Sequence, residues 1–217
     1  MVVGDGAGAG GSAAARRAQI LDAATRVFAE KGSHRATIRE IAAVAGVADG
    51  TIYNYFANKS ALLLGLLDRA NETEARPGHF ARGADDELVG FLRDYLGRRF
   101  AVLAETGFDL FQVLLSELLV DRGLRERYQR EVLAPTFPLG EAALAERMAR
   151  GELRPLDPAL TARALAAAGV GSLVLRLLGD PVLRERWEEV PDVLAALFAR
   201  GLVPEGGSDD PATHEES

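Results

Sequence analysis

Residues 37–59, Thr-Ile-Arg-Glu-Ile-Ala-Ala-Val-Ala-Gly-Val-Ala-Asp-Gly-Thr-Ile-Tyr-Asn-Tyr-Phe-Ala-Asn-Lys, leave the chain few ways to fold. They read as a short helix, a three-residue turn, a second short helix and the start of a third. Thr37 and Glu40 have the spacing of a capping box, in which the hydroxyl accepts from the Glu40 amide while the carboxylate reaches back. Ile38, Ile41, Ala42 and Ala45 recur at helical spacing, so one face of the first helix is apolar. Gly46 stands where a helix closes in the left-handed conformation, which glycine adopts without steric cost. The second helix, from about Asp49, buries Ile52 and Phe56 one turn apart. Gly50, Thr51, Tyr53, Asn54 and Tyr55 are left to share its flanks and outer face. A face of small, hydroxyl, amide and phenol groups suits a helix laid in a DNA major groove.

The segments Thr-Ile-Arg-Glu-Ile-Ala, Ala-Gly-Val, Gly-Thr-Ile-Tyr-Asn-Tyr-Phe and Asn-Lys-Ser-Ala-Leu-Leu resemble the helix-turn-helix of the tetracycline-repressor (TetR) family. The match runs without gaps from about Ala18 to Leu67. The resemblance implies an all-α protein with an N-terminal three-helix DNA-binding head and a C-terminal helical domain for ligand binding and dimerisation. It further implies a transcriptional regulator, usually a repressor, that binds a palindromic double-stranded operator as a homodimer and is released by a small apolar effector, without a cofactor. By that resemblance Thr37, Tyr55 and Lys59 hold phosphates, and Gly50 lets the backbone approach the DNA. Thr51, Asn54 and Arg39 are the candidates for base edges, and Tyr53 lies partly buried and partly at the sugar-phosphate wall. Ala48 departs from the family's usual serine or threonine, and Asp49 from a basic or neutral residue. Both stay among the DNA-facing candidates, with Asp49 able to cap the helix or to accept from a cytosine amino group. These departures keep open a second reading, a helical small-molecule-binding or interaction protein with a non-functional DNA head. The intact Thr37, Thr51, Tyr53, Tyr55 and Lys59 favour the first.

The net charge of −7 argues against a nucleic-acid partner until its distribution is considered. Residues 16–59 carry seven Lys/Arg against four Asp/Glu, whereas residues 60–217 carry 18 against 27. A mildly basic head on an acidic body fits a DNA reader whose larger part stays off the phosphates. The chain has no cysteine, which removes disulfides, thiolate nucleophiles and thiolate metal sites. His34, His79 and His214 are far apart and form no zinc or di-iron spacing. There is no Gly-x-Ser-x-Gly and no phosphate loop leading to Lys-Ser/Thr, so no enzyme is expected. No run approaches a membrane span and the Gly/Ala-rich start lacks the order of a signal peptide, so a cytoplasmic protein with no membrane partner is expected.

Residues 1–15 are expected to be a disordered tail; their Gly6-x-Gly8-x-x-Gly11 lacks the preceding strand that a dinucleotide site needs. The DNA-binding head spans 16–67, with a first helix from Arg16 to Lys31 closed by Gly32. A helix from Lys59 to about Arg76 links it to the body, 68–203, and residues 78–86 read as a loop. Helices follow over Glu87–Ala104 and Phe108–Val120. A charged amphipathic stretch from Asp121 ends at the breaks of Pro135 and Pro138, and Leu139–Arg150 resumes. Pro158–Leu178 and Val190–Arg200 are the last two helices, before a disordered acidic tail over 204–217. Phe91, Tyr95, Phe111 and Leu115, with Arg99 and Gln112 as polar handles, are the candidates for an effector pocket. Ala164, Ala168, Gly171, Ser172 and Leu175 form a small-residue side on the penultimate helix, where another backbone can approach. In the family that helix and the last one, here with Leu194, Leu197 and Phe198, form a four-helix dimer interface.

Overall fold

A computed structural model describes residues 7–83 and 86–204, with side chains from residue 12 onward. Among the described residues the chain is all-helical, without a strand. Helix α1 (Ala7–Arg35) breaks at Gly32, whose φ of 72° ends its regular part where the glycine predicted it. It begins well before Arg16, so Ala7–Ala15 is helical rather than a disordered tail. Alanine has the highest helix propensity, and extending an existing helix adds one hydrogen bond per residue fixed. The remaining tail expectations lie outside the described residues.

Helix α2 (Ile38–Ala45) packs on the core face of α1, and α3 (Asp49–Tyr55) packs on α2. Ile20, Ala24, Val27 and Phe28 of α1 are buried against Ile41, Ala42 and Ala45 of α2 and against Ile52 and Phe56. Helix α4 (Lys59–Asn71) is capped by Asn58, whose side chain accepts from the Ala61 amide at 2.9 Å. Leu62, Leu63, Leu64, Leu66 and Leu67 of α4 are all buried. Consecutive buried leucines mean that α4 is covered on more than one face, by the head on one side and the body on the other, with Arg69 left exposed.

After α4 the chain turns at Glu72, at a φ of 51°, and forms the short helix α5 (Arg76–Arg82). The linking helix therefore ends five residues before Arg76, and the stretch read as a loop is helical in its first half. Pro77 sits in the first turn of α5, where it removes no intrahelical bond. Helices α6 (Leu88–Thr106) and α7 (Phe108–Val120) follow, separated by Gly107. Helix α8 (Arg122–Tyr128) runs into a π turn over Gln129–Leu133 and then into α9 (Ala134–Ala149). Pro135 and Pro138 thus do not break the segment. Pro135 lies in the first turn of α9 and Pro138 inside it. A proline ring displaces the carbonyl four residues earlier, which for Pro135 is that of Glu131, inside the wider π turn.

Helix α10 (Pro158–Leu177) is capped by Asp157, with Pro158 at its first position. The short α11 (Pro181–Glu185) and a 3₁₀ turn, Trp187–Glu189, lead into α12 (Val190–Leu202). In the body α12 packs on α6 and α10 on α9. Leu88, Leu92 and Leu96 meet Leu144, Ala195, Ala199 and Leu202 in one cluster. Phe100 and Phe108 close around Trp187, with ring centroids 4.6 and 5.2 Å away, at the edge of the larger cluster shared with the head.

Helix α4 comes close to the head at Gly65, where a Cβ would stand 2.9 Å from Phe56 Cε1 and 3.2 Å from Leu21 Cδ2. Alanine gains about 1 kcal/mol in helix propensity, but overpacking a close-packed core costs about 1–3 kcal/mol. Gly65→Ala is expected to lose roughly 1 kcal/mol net in urea unfolding, since both neighbours are core groups rather than free chain ends. An unchanged or raised midpoint would mean that α1 and Phe56 can yield.

Candidate nucleic-acid interface and effector cavity

The turn between α2 and α3 has the geometry its residues predict. The Glu40 amide donates to Thr37 Oγ1 at 3.2 Å, and the Thr37 amide and hydroxyl donate to Glu40 Oε2, each at 2.9 Å. Lys31 Nζ reaches the other carboxylate oxygen at 2.7 Å. The bond from Lys31, then those from Thr37, hold the Glu40 carboxyl well below the usual range, at about 2. Gly46 takes the left-handed conformation at φ 65°, and the Val47 amide donates to the Ala42 carbonyl at 3.0 Å. Gln19 of α1 donates to the Ala45 carbonyl at 2.7 Å, fixing α2 to the longer helix.

Helix α3 begins on Ala48, which makes no side-chain cap. Asp49 is its first helical residue and supplies no cap either, but its carboxylate sits favourably at the positive end of the helix. Ile52 faces the core, whereas Gly50, Tyr53 and Asn54 are exposed and Thr51 and Tyr55 half-buried. Tyr55 packs against the head's core, which fixes the ring that carries its phenol. Thr37 and Arg39 are exposed on α2, on the same part of the molecule. Lys59 Nζ donates to the Ser33 carbonyl at 2.6 Å, so its ammonium closes the end of α1 and keeps two further donors. Nine of the ten candidates for DNA contact thus belong to α2 with its cap, to α3 and to the turn between them, and the tenth, Lys59, opens α4.

The body encloses a mainly apolar cavity of ≈ 240 Å³ between α5, α6, α9 and α10, with Asn71 of α4 and Tyr128 at its wall. Phe91, Tyr95 and Arg99 line it. Phe111, Gln112 and Leu115 do not: Phe111 is buried in the cluster shared with the head, Leu115 is half-buried and Gln112 is exposed. Helical periodicity identifies an apolar face on α7 but not its neighbour, and here the neighbour is the head rather than the cavity. The aromatic wall is completed by Phe80 of α5, 5.2 Å from the Tyr95 ring and 5.9 Å from that of Phe91. Phe80 lay in the stretch read as a loop. Phe137, Gly140, Leu144 and Arg147 recur at helical spacing across Pro138 and also line the cavity, a signal hidden by reading the prolines as breaks.

Three arginines stand at this cavity. Arg99 pairs with Glu72 at 2.8 Å and donates to the Ala70 carbonyl at 2.7 Å, which ties the end of α4 to α6. Arg147 pairs with Glu152 at 2.9 Å and bonds the Gly83 and Asp86 carbonyls. Arg76 donates from Nη2 to the Asn71 carbonyl at 2.5 Å, and burial pulls its basicity down from the ordinary value. Asn71 in turn donates to Thr136 Oγ1 at 2.8 Å, linking α4 to α9.

Helix α10 is long and apolar enough to cross a membrane by length and composition, contrary to the expectation that no run comes close, and 11% of its most apolar window is buried. Ala164 and Leu175 of α10 and Leu197 of α12 are exposed, while Ala168, Gly171, Ser172, Leu194 and Phe198 are half-buried. Leu194 and Phe198 partly turn inward onto the chain's own core. Leu160, Val170, Leu178, Val182 and Val193, unanticipated from the small-residue pattern, enlarge the exposed apolar set on α10, α11 and α12.

The family described as "Bacterial regulatory proteins, tetR family" matches residues 20–66. The chain is 44% identical over 179 residues, 76% of its length, to the HTH-type transcriptional regulator TtgR of Pseudomonas putida, of which 82% is covered. It is 34% identical over 137 residues, 62% of its length, to the HTH-type transcriptional repressor Rv1474c of Mycobacterium tuberculosis, of which 70% is covered. Among solved structures it is similar to the transcriptional regulator FadR of Bacillus subtilis in complex with stearoyl-CoA. That similarity has a TM-score of 0.70 at 25% identity, over 84% of this chain and 97% of the other.

The capping network makes a pH prediction. With a folded pKa of about 2 against an ordinary 4.5, the Glu40 carboxylate contributes stability above 4.5 that is lost as pH falls through about 2. In Lys31→Ala the largest cause is removed, so the Glu40 midpoint, followed by carboxyl carbon chemical shift, is expected to rise toward 4.5. An unmoved midpoint would assign the depression to Thr37 alone.

Proposed function

The chain belongs to the tetR family of bacterial regulatory proteins and is a DNA-binding transcriptional regulator, and from that premise we propose that it is a cytoplasmic homodimeric repressor released from a palindromic operator by a small apolar effector. The observation that carries this reading is the exposed polar face of α3, held on a capped and glycine-closed turn. Residues 16–67 read the DNA and 68–203 bind the effector and the second subunit, with α4 straddling the boundary. Thr37, Tyr55 and Lys59 hold phosphates; Thr51, Asn54 and Arg39 meet base edges. Ala48, Asp49 and Gly50 lie where the backbone comes closest, and Tyr53 lies at the sugar-phosphate wall.

Two copies meet through α10 and α12, whose exposed leucines and valines would be covered by the same face of the partner. Half-sites then lie about one helical turn, or a multiple, apart. The effector enters the cavity beside Phe91, Tyr95 and Arg99. Because Arg99, Glu72 and Asn71 bind the end of α4 to the cavity wall, occupancy shifts α4 and with it the spacing of the two heads. A coupling of about 1–3 kcal/mol is enough for such release.

Selection against genomic fragments is expected to enrich one palindrome. No enrichment at low salt would favour the helical ligand-binding protein with a silent head, since the cap at Ala48 is missing. On the selected site, Lys59→Ala should weaken all sequences alike and reduce the slope of log affinity against log salt by about one. Asn54→Ala should instead relax preference at one base pair, at a cost of roughly 1–3 kcal/mol. Uniform loss in both variants would remove Asn54 from the base-reading set. Leu175→Glu combined with Leu197→Glu is expected to give a monomer in sedimentation, because charges replace the apolar face; a persistent dimer would move the interface elsewhere.

A further inference from the structure

The cavity is lined by three guanidinium groups and, among the described residues, by no carboxylate. Two of the three cations are already neutralised, Arg99 by Glu72 and Arg147 by Glu152. Arg76 is 8% exposed and has no carboxylate partner among the described residues. Its Nε is buried without any hydrogen-bond partner, and its one bond runs from Nη2 to the Asn71 carbonyl. A guanidinium does not shed its proton, so this is a retained, uncompensated charge in a desolvated place. Around it stand Phe80, Phe91, Tyr95 and Phe137, an apolar surface suited to a hydrocarbon or aryl body.

We propose that the effector is a singly charged amphiphile of the carboxylate class, its carboxylate paired with Arg76 and its apolar body lying among these rings. The inference rests on the reading of this cavity as the effector site. One unpaired cation calls for one negative charge; a polyphosphorylated head would bring charges for which the cavity wall holds no free cation. At ≈ 240 Å³ the space is just below the range of about 300–1,000 Å³ usual for drug-sized ligands, which favours a medium-length chain or a substituted ring. The pairing also explains the coupling, because Arg76 holds the last carbonyl of α4 and any group that takes its guanidinium competes for that bond.

The test titrates the full-length protein with octanoate, octan-1-ol and octanoyl-coenzyme A by calorimetry, and follows release from the selected operator. Octanoate is expected to bind at least about tenfold tighter than the alcohol of equal length, the scale of a charge-assisted pair. Octanoyl-coenzyme A is expected to bind no better than octanoate. Arg76→Met should lose that preference and bind both C8 ligands within about threefold of each other, while Arg76→Lys should keep part of it; circular dichroism checks that each variant is folded. Equal binding of acid and alcohol by the unaltered protein overturns the proposal, as does an acid preference that survives in Arg76→Met. A coenzyme A thioester that binds more than tenfold tighter than the free acid overturns the single-charge assignment. If none of the three binds, but neutral aromatic compounds do and release the operator, the anion inference fails and the cavity reading stands. If no compound of either kind binds, the cavity reading fails with it.

Discussion

Helix α4 is buried along most of its length between the head and the body, and the rest of the molecule is arranged by that burial. Its five leucines lie between the head's core and the body, and a strip at Asp68 and Arg69 reaches water. Each fully buried leucine contributes about 1.5–3 kcal/mol relative to exposure, far more than any surface ion pair on the head. Moving α4 therefore moves both neighbours together, since close-packed side chains shift between discrete arrangements rather than deforming smoothly. Gly65 sets how near the helix comes to α1, and Asn71, at the other end, reaches the cavity wall. One helix is thus the floor of the head and part of the wall of the cavity.

The electrostatics follow the same division. At the head, charges are matched locally: Lys31, Glu40 and Thr37 close a ring that fixes α2, and Lys59 fixes the end of α1. Ser33 donates to Glu117 of α7, with His34 close to the same carboxylate, so the end of α1 is also tied to the body. At the cavity, matching stops one charge short, at Arg76. Arg76 and Arg99 both donate to the last carbonyls of α4, where the helix dipole favours a cation, but for Arg76 burial outweighs that gain.

Two exposed surfaces of opposite character remain. On α3 the outer groups are hydroxyl, amide and phenol, able to exchange hydrogen bonds with base edges and phosphates. On α10, α11 and α12 the outer groups are leucine and valine, which have only dispersion and desolvation to offer and so suit a matching apolar face. The apolar composition of α10 alone would also satisfy a bilayer span; Arg163 and Arg176 are bonded to the chain itself, through Glu141 and the Leu183 carbonyl, and α10 packs on α9.

The local rules of the chain were enough to determine the reading head. Thr37 with Glu40, Gly46, Ile52 with Phe56, and Asn58 each specify a cap, a turn or a buried face within four residues, so the helix-turn-helix is legible without knowing what it packs against. The same is true of the boundaries of α7 and α10, set by Gly107 and by Asp157 with Pro158. Where a residue's partner lies far along the chain, local pattern fails. Phe111 and Leu115 have the periodicity of a pocket wall, yet Phe111 belongs to the junction with the head and Leu115 is half-buried away from the cavity. Phe80 and Phe137 sit among glycine and prolines that read as loop or break, yet they form the cavity. Pro135 is tolerated because a π turn precedes it, a compensation that only the packed backbone reveals, and Pro138 lies inside α9 without ending it. The uncompensated charge of Arg76 is likewise invisible in sequence, where acids lie nearby at Glu72 and Glu74. Only the fold commits the Glu72 carboxylate to Arg99, because burial and distance, not proximity in the chain, decide which charges meet.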